Sequence, residues 1–215
     1  MLEAPLTAER FQKETNVSHE TLARLEIYVA LLRQWNEKIN LVSRDSLADV
    51  WRRHVLDSAQ LLPFLPSECA PLVDLGSGAG FPGLVLSVLG VLDVRLIESD
   101  QRKCVFLREA ARLTQADPVI IPKRIEDAPP FKAKVITARA FASLSKLLDL
   151  AERFMGPDTT CLLLKGRSVS EELTQIGKQW KMTVTPYPSR SDPSGRILRL
   201  EKPTREFPGR LPDHA

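Results

Sequence analysis

Four glycines fall within eight residues in the segment PLVDLGSGAGFPG (71–83), directly behind an apolar run that holds one aspartate. Gly76, Gly78, Gly80 and Gly83 can take positive φ and let a ligand lie against main-chain N–H groups, so the segment reads as a cradle made of backbone. Leu72, Val73 and Leu75 suit a buried strand that feeds the cradle, and LVLSVLGV suits a helix whose N-terminus faces the ligand. Asp74 and Ser77 lie inside it. Asp74 either braces the loop or meets a cationic group of the ligand.

Three ligands compete for such a cradle. A dinucleotide site wants G-x-G-x-x-G, but the register here is G-S-G-A-G-F-P-G, with Phe81 where the last glycine should stand. A P-loop needs G-K-[ST] after the glycines, and none follows. S-adenosylmethionine carries no phosphate and needs backbone proximity plus an acid at the end of the second strand, a description this chain meets. Glu98 is that acid: it closes VRLIES, where a carboxylate can accept hydrogen bonds from ribose hydroxyls, the alternative being an exposed strand-end charge. Ile125 and Glu126, past the third strand, stand where an adenine would lie. Read alone they are ordinary loop residues.

Cationic and aromatic residues cluster around the same edge. Arg139 follows the fourth strand and could pair bidentately with a carboxylate or bind phosphate, the alternative being a surface ion pair. Lys165 and Arg167, after the fifth strand, face the same edge and suit RNA backbone. Arg52 and Arg53 precede His54 and Asp57, which share a helix face three residues apart. His54 as acid or base is weighed against a structural or RNA-positioning role. Trp35 suits packing, and Asn40 either a turn or an approach to the base.

The elements that must hold these residues alternate in type. Leu22, Leu25, Val29 and Leu32 predict a helix from Ser18 to Lys38, and DVWRRHVLDSAQLL a second one before Pro63, so residues 1–66 read as an all-helical cap. Residues 67–215 read as one Rossmann-like domain: strands at 94–99, 118–122, 133–140 and 159–166 alternate with helical runs, which implies a doubly wound parallel sheet. MTVTPY and RILRLEK, separated by the turn-rich PSRSDPSG, predict a closing antiparallel hairpin.

Charge is uneven: residues 102–146 hold 10 Lys/Arg against 4 Asp/Glu, which suits a phosphate-bearing partner or a solvated, salt-bridged face. Cys69, Cys104 and Cys161 are odd in number, far apart and without metal-ligand spacing, as expected of a reducing cytoplasm with no metal site. The charged N-terminus reads as no signal peptide. Residues 75–92 carry no charge, yet the glycines and Pro82 fit a buried loop and helix better than a membrane span.

LVDLGSGAGFPG together with RHVLDS (53–58), WNEKINLVS (35–43), TARAFASL (137–144) and LLLKGR (162–167) resembles the ribosomal RNA small subunit methyltransferase G family, also called glucose-inhibited division protein B, over nearly the whole chain. The resemblance implies a class I S-adenosylmethionine-dependent methyltransferase fold. It also implies methylation of N7 of guanine 527, in the 530 loop of 16S rRNA within the small ribosomal subunit or an assembly intermediate, by a cytoplasmic monomer. Gly76 and Phe81 would then contact the cofactor, Ile125 and Glu126 would flank the adenine, and Arg139 would complete the pocket. The chain ends REFPGRLPDHA, where family members often carry a basic tail, so no RNA contact is assigned to its end.

Guanine N7 has a lone pair in the ring plane and no proton to lose, so no general base is required, and positioning should supply most of the catalysis. Methylation of an exocyclic amine would want an N-P-P-Y type loop after the fourth strand. ARAF stands there instead, and DAPPF (127–131) lies before that strand. Pyrimidine carbon 5 would want a cysteine nucleophile, whereas Cys104 and Cys161 sit in helical and apolar strand contexts. A methyltransferase of another substrate, an assembly factor without turnover and a dehydrogenase stay as alternatives.

Overall fold

The LVDL run forms β1 (Leu72–Leu75), buried along its whole length as befits the middle of a parallel sheet. Residues 4–139, 142–167, 169–177 and 179–206 are described by a computed structural model. β2 (Val94–Ile97), β3 (Val119–Ile121), β4 (Ala133–Arg139) and β5 (Met155–Lys165) extend the parallel sheet on both sides of β1. β6 (Trp180–Pro188) and β7 (Arg196–Arg205) form the antiparallel hairpin, with β7 lying against β5. The strand order is β3-β2-β1-β4-β5-β7-β6. Its direction of growth reverses between β1 and β4, where a doubly wound sheet opens its ligand crevice.

Before the sheet come α1 (Ala8–Thr15), α2 (His19–Asn36) and α3 (Arg44–Ala48), each capped by a side-chain oxygen, from Thr7, Ser18 and Ser43. α1 and α3 are not expected from periodicity, because they are too short to show it. The helix expected over 49–62 is instead a π-helical turn, Trp51–Leu56, running into α4 (Asp57–Ala59). The Asp57 amide bonds to the carbonyls of Arg52 and His54 rather than to that of Arg53 alone, the partner an α-helix would give it. After β1 come α5 (Gly83–Val88), α6 (Gln101–Thr114), α7 (Leu144–Ala151) and α8 (Val169–Ile176).

Alternation along β1 divides the core. Leu72 joins a cluster with Leu84, Phe106 and Leu107 from α5 and α6 and with Leu25, Tyr28 and Leu32 from α2. Val73 and Leu75 point to the opposite face, into a cluster with Leu148 and Phe154. The N-terminal helices therefore share one apolar core with the α5–α6 face of the sheet. Asp74, in phase with Leu72, is directed to that face beneath the start of α5. Cys104 and Cys161 are buried and unpaired, and burial pushes the Cys161 thiol up to about 12. Among the described residues no helix is long and apolar enough to cross a membrane.

Candidate functional site

Register fixes the base of the site. β1 pairs with β4 so that Asp74 lies beside Thr137, and the Thr137 hydroxyl donates to Asp74 Oδ1 at 2.9 Å. Asp74 Oδ2 accepts from the Gly83 amide at 3.2 Å, which ties β1 to the first turn of α5. The Ser77 hydroxyl donates to the Asp74 carbonyl at 3.0 Å. Burial raises the Asp74 carboxyl to about 6 against these hydrogen bonds. Asp74 and Ser77 thus brace the loop from below.

Above them Gly76, Gly78 and Gly80 have φ of 66°, 57° and 97°. The glycines are not equivalent. A Cβ on Gly83 would stand 2.4 Å from Leu96 Cδ2 and 2.7 Å from Asp74 Cβ, so that glycine permits close packing of helix on strand. A Cβ on Gly78 would meet only the Gly76 carbonyl at 3.8 Å, which leaves an open approach to its backbone. That opening, with the rim acid described next, fits a ligand held by main chain. The Tyr28 hydroxyl donates to the Ala79 carbonyl, and Tyr28 also packs on Phe81 with ring centroids 5.3 Å apart.

Glu98 follows β2 and is 7% exposed. Its Oε2 accepts from the Gly78 amide at 2.8 Å and its Oε1 from the Asp100 amide at 2.7 Å. The carboxylate therefore stands against the cradle, its orientation set by two backbone donors. Ile125, buried, and Glu126, exposed, begin the 3₁₀ turn Ile125–Asp127 beyond β3, and both carbonyls accept from Arg153.

The other wall joins the ends of β4 and β5 to the π-helical turn. Arg139 Nη1 donates to His54 Nδ1 at 2.7 Å and to the Arg53 carbonyl at 3.0 Å, the carbonyl that the π turn does not give to the Asp57 amide. Asp57 Oδ2 lies 3.6 Å from Arg139 Nη1, and the Arg139 guanidinium sits 4.9 Å over the Phe81 ring. His54 stacks on Phe81 at 4.7 Å and contacts Ser46 Oγ through Nε2 at 2.9 Å. Burial, with the charges of Arg139 and Arg53, lowers His54 to about 3. It is neutral, and both ring nitrogens are engaged. Burial raises the Asp57 carboxyl, opposed by Arg139.

The turn between β6 and β7 completes the wall. Ser191 donates to Asp57 Oδ1, and Gln60 Nε2 donates to the same oxygen at 2.9 Å. The Arg190 amide donates to Gln60 Oε1 at 2.7 Å, and Arg53 pairs with Asp192 at 3.1 Å. The cavity between these walls, about 370 Å³ and open to the surface, is bordered by Gly76, Gly78, Phe81, His54, Arg139 and this turn.

The remaining sequence candidates divide. Arg52 is held by Asp49 at 3.0 Å and donates to the Ala4 carbonyl at 2.8 Å. Lys165 borders the cavity, yet its ammonium is paired with Glu172 at 2.7 Å and bound to the Ala142 carbonyl at 3.0 Å. Each of these cations has a carboxylate within reach. Arg53 is half exposed and Arg167 exposed. Asn40 is exposed, and the turn beside it is held by Asn36 Oδ1, which accepts from the Leu41 and Val42 amides at 3.0 and 2.9 Å. Ala140 and Phe141 of the ARAF motif and the chain end from 207 lie outside the described residues. Sequence reasoning missed Tyr28, Thr137, Gln60 and Ser191. Of these only Tyr28 carried a signal, as a hydroxyl set in an apolar helical stripe that must find a partner when buried.

A family model described as rRNA small subunit methyltransferase G (GidB) matches residues 21–191. A "Ribosomal RNA small subunit methyltransferase G" of Rhodospirillum centenum is 55% identical over 195 residues, covering 91% of this chain and 90% of that protein. One of the same name from Rhodospirillum rubrum is 51% identical over 195 residues, covering 91% and 97%. Among solved structures, a SAM-dependent methyltransferase from Aquifex aeolicus superposes with a TM-score of 0.58 at 14% identity, over 74% of this chain and 96% of its own. Magnesium protoporphyrin IX methyltransferase from Synechocystis PCC 6803, solved with SAM bound, gives 0.56 at 11% identity, over 86% and 98%. These two likenesses carry the class I methyltransferase fold.

Proposed function

The chain belongs to the rRNA small subunit methyltransferase G family, and from that premise we propose that it methylates N7 of guanine 527 of 16S rRNA, using S-adenosylmethionine. The observation that carries this reading is the combination of a backbone cradle with a cavity that, among the described residues, offers no free base. Arginines aside, the titratable groups bordering the cavity are His54, bonded to Arg139 and Ser46; Asp57, bonded to Ser191 and Gln60; Asp192, bonded to Ser194 and Arg53; and Lys165, bonded to Glu172 and the Ala142 carbonyl. A reaction that had to remove a proton would need one of them released. Attack by a ring nitrogen that carries no proton needs none.

When bound, S-adenosylmethionine supplies an electrophilic methyl group. The residues that would hold it are the backbone of Gly76, Gly78, Gly80 and Phe81, the Glu98 carboxylate toward the ribose, and Ile125 and Glu126 about the adenine. Asp74 and Ser77 keep the loop in shape from beneath. Arg139 also borders the cavity and stands toward the base. The product guanine gains positive charge, so a guanidinium there cannot serve by stabilising that charge. Its suitable role is to donate one hydrogen bond to O6, which selects guanine and leaves the N7 lone pair free. Asp57 offsets the arginine's charge, and His54 holds its plane. These steps are positioning, a source of rate worth about 7–11 kcal/mol when geometry is well fixed.

We assign residues 1–66 as a helical cap that lies over the transferase unit of residues 67–215, with Arg53 and Arg167 toward RNA backbone. The protein is taken to act as a cytoplasmic monomer on the small ribosomal subunit or an assembly intermediate. The test is transfer of labelled methyl from S-adenosylmethionine to small subunits and to protein-free 16S rRNA, mapped by cleavage specific for 7-methylguanine. Label confined to one guanine of the 530 loop is expected. Label at another atom or base, or none on either substrate, overturns the reading.

A further inference from the structure

Beyond Leu41, which borders the cavity on one side, lies a second and larger groove of about 1060 Å³. It runs between the loop at 36–44 and the start of α6. Arg33, Lys38, Arg44, Arg102 and Lys103 line it, against Glu37 and Asp100. One of these acids is already committed: Asp100 Oδ1 caps α6, accepting from the Arg102 and Lys103 amides at 2.8 and 3.3 Å. Arg102 pairs with Asp100 at 3.6 Å, whereas Arg33, Lys38, Arg44 and Lys103 have no carboxylate partner among the described residues. In the cavity itself Arg53, Arg139 and Lys165 each have one, and Arg196 is bound instead to the Pro193 and Gly195 carbonyls.

The groove is also preformed. Asn36 fixes the turn at Leu41 and Val42, and Ser43 caps α3 directly behind Arg44. Ile39, Leu41, Val42 and Leu47 supply an apolar floor beneath the cations. An apolar floor edged by unpaired cations suits a chain with flat apolar faces and a regular anionic edge.

We infer that this groove carries the phosphodiester backbone of the single-stranded RNA flanking the target nucleotide, with Arg33, Lys38, Arg44 and Lys103 as its phosphate contacts. The inference rests on the RNA methyltransferase reading above and deepens it by adding an entry path. The groove and the cavity share Leu41 as a lining residue and so lie side by side, which puts a strand in the groove next to the cavity. An acidic protein face would satisfy the charges but gives no reason for the groove to lie beside the cavity.

The test is binding of protein-free 16S rRNA by the full chain across a salt series. The wild type is compared with the triple variant Lys38→Gln, Arg44→Gln, Lys103→Gln. The control triple, Lys132→Gln, Lys134→Gln, Lys181→Gln, lies at the opposite edge of the sheet. Neutralising one cation that meets a phosphate should lower the slope of log K against log salt by about 0.7–0.9, so the groove triple should fall by about 2–3 and the control by none. KM for methyl transfer should rise about tenfold or more, with kcat and S-adenosylmethionine affinity held within twofold. Equal slopes for the two triples overturn the inference. So does a loss seen with intact subunits but not with free rRNA, which would assign the groove to a ribosomal protein. If the triple loses cofactor affinity, the single variants Lys38→Gln and Arg44→Gln decide by slope alone. Because binding is read apart from turnover, a wild type that binds RNA through the groove but transfers no methyl would sink the catalytic reading and leave the groove standing.

Discussion

Arg139 Nη1 donates to His54 Nδ1 at 2.7 Å, and this bond decides which ring nitrogen carries the proton. A guanidinium can only donate, so Nδ1 accepts and Nε2–H points to Ser46. The imidazole is thereby a strut between the arginine and α3.

The pH–rate profile should follow from that strut. With His54 lowered to about 3, no histidine ionisation should appear in kcat between pH 5.5 and 8.5. His54→Ala should lose turnover by about 5- to 150-fold, from about 1–3 kcal/mol of lost hydrogen bonding to a buried cation, and the loss should be independent of pH. A wild-type ionisation near 6.5 that vanishes in the variant would make His54 a base.

Stability should report the same residue with a definite sign. Folded His54 does not take up a proton until about pH 3, whereas an unfolded histidine does so at its ordinary value of 6.5. Its contribution is therefore full above 6.5 and is lost as pH falls from 6.5 toward 3, at about 1.4 kcal/mol per pH unit. His54→Gln removes this slope, so the variant should gain on the wild type as pH falls from 6.5 to 4. Parallel denaturant curves across that window would contradict the burial argument.

Thr137→Val should gain on the wild type in the same direction, through a carboxyl instead of an imidazole. The Thr137 hydroxyl supports the Asp74 anion, whose carboxyl is raised by burial to about 6. Removing it should cost about 1 kcal/mol at pH 8, where the carboxylate is ionised, and less at pH 5, where it is protonated. A cost that is larger at pH 5 would show that the bond serves the neutral acid.

Gly78→Ala and Gly83→Ala should separate ligand binding from packing. At Gly83 the added methyl meets Leu96 and Asp74, an overpacking worth about 1–3 kcal/mol of stability. At Gly78 it meets only the Gly76 carbonyl at 3.8 Å, an ordinary contact, so the stability cost is limited to the αL backbone, about 1–2 kcal/mol, while backbone approach by the cofactor is obstructed. Calorimetric affinity for S-adenosylmethionine should fall more in Gly78→Ala, relative to Tm, than in Gly83→Ala. The reverse ranking would remove Gly78 from the cradle.

Ser191→Ala should loosen the wall without touching the cradle. It takes one donor from Asp57, leaving Gln60 and Arg139. A loss in kcat of about tenfold with unchanged cofactor affinity is expected, since one buried hydrogen bond is worth about 1 kcal/mol or somewhat more beside a charge. Equal losses in both would mean that the turn supports the whole fold.

Local features of this site were readable in the chain itself. The strand, the glycine loop and Glu98 declare themselves through spacing within about thirty residues, and the closing hairpin through its turn-rich PSRSDPSG. What was not readable depends on register and on distant partners. Asp74 could brace or bind until its pairing beside Thr137 directed it beneath α5. The ion pair of Lys165 was not readable, because Glu172, seven residues on, can reach it only after α8 folds back. PSRSDPSG read as a turn and nothing more, because its partners Asp57 and Gln60 lie about 130 positions earlier.

That last separation bears on how the molecule comes into being. A ribosome releases the π-helical turn about 130 residues before Ser191, so the wall beside Arg139 closes long after its first part has emerged. The cradle and Glu98 are made well before. A growing chain that lacks the hairpin would have its cradle but not the turn that closes the wall, so competence to modify rRNA would wait for residues about 130 positions beyond Asp57.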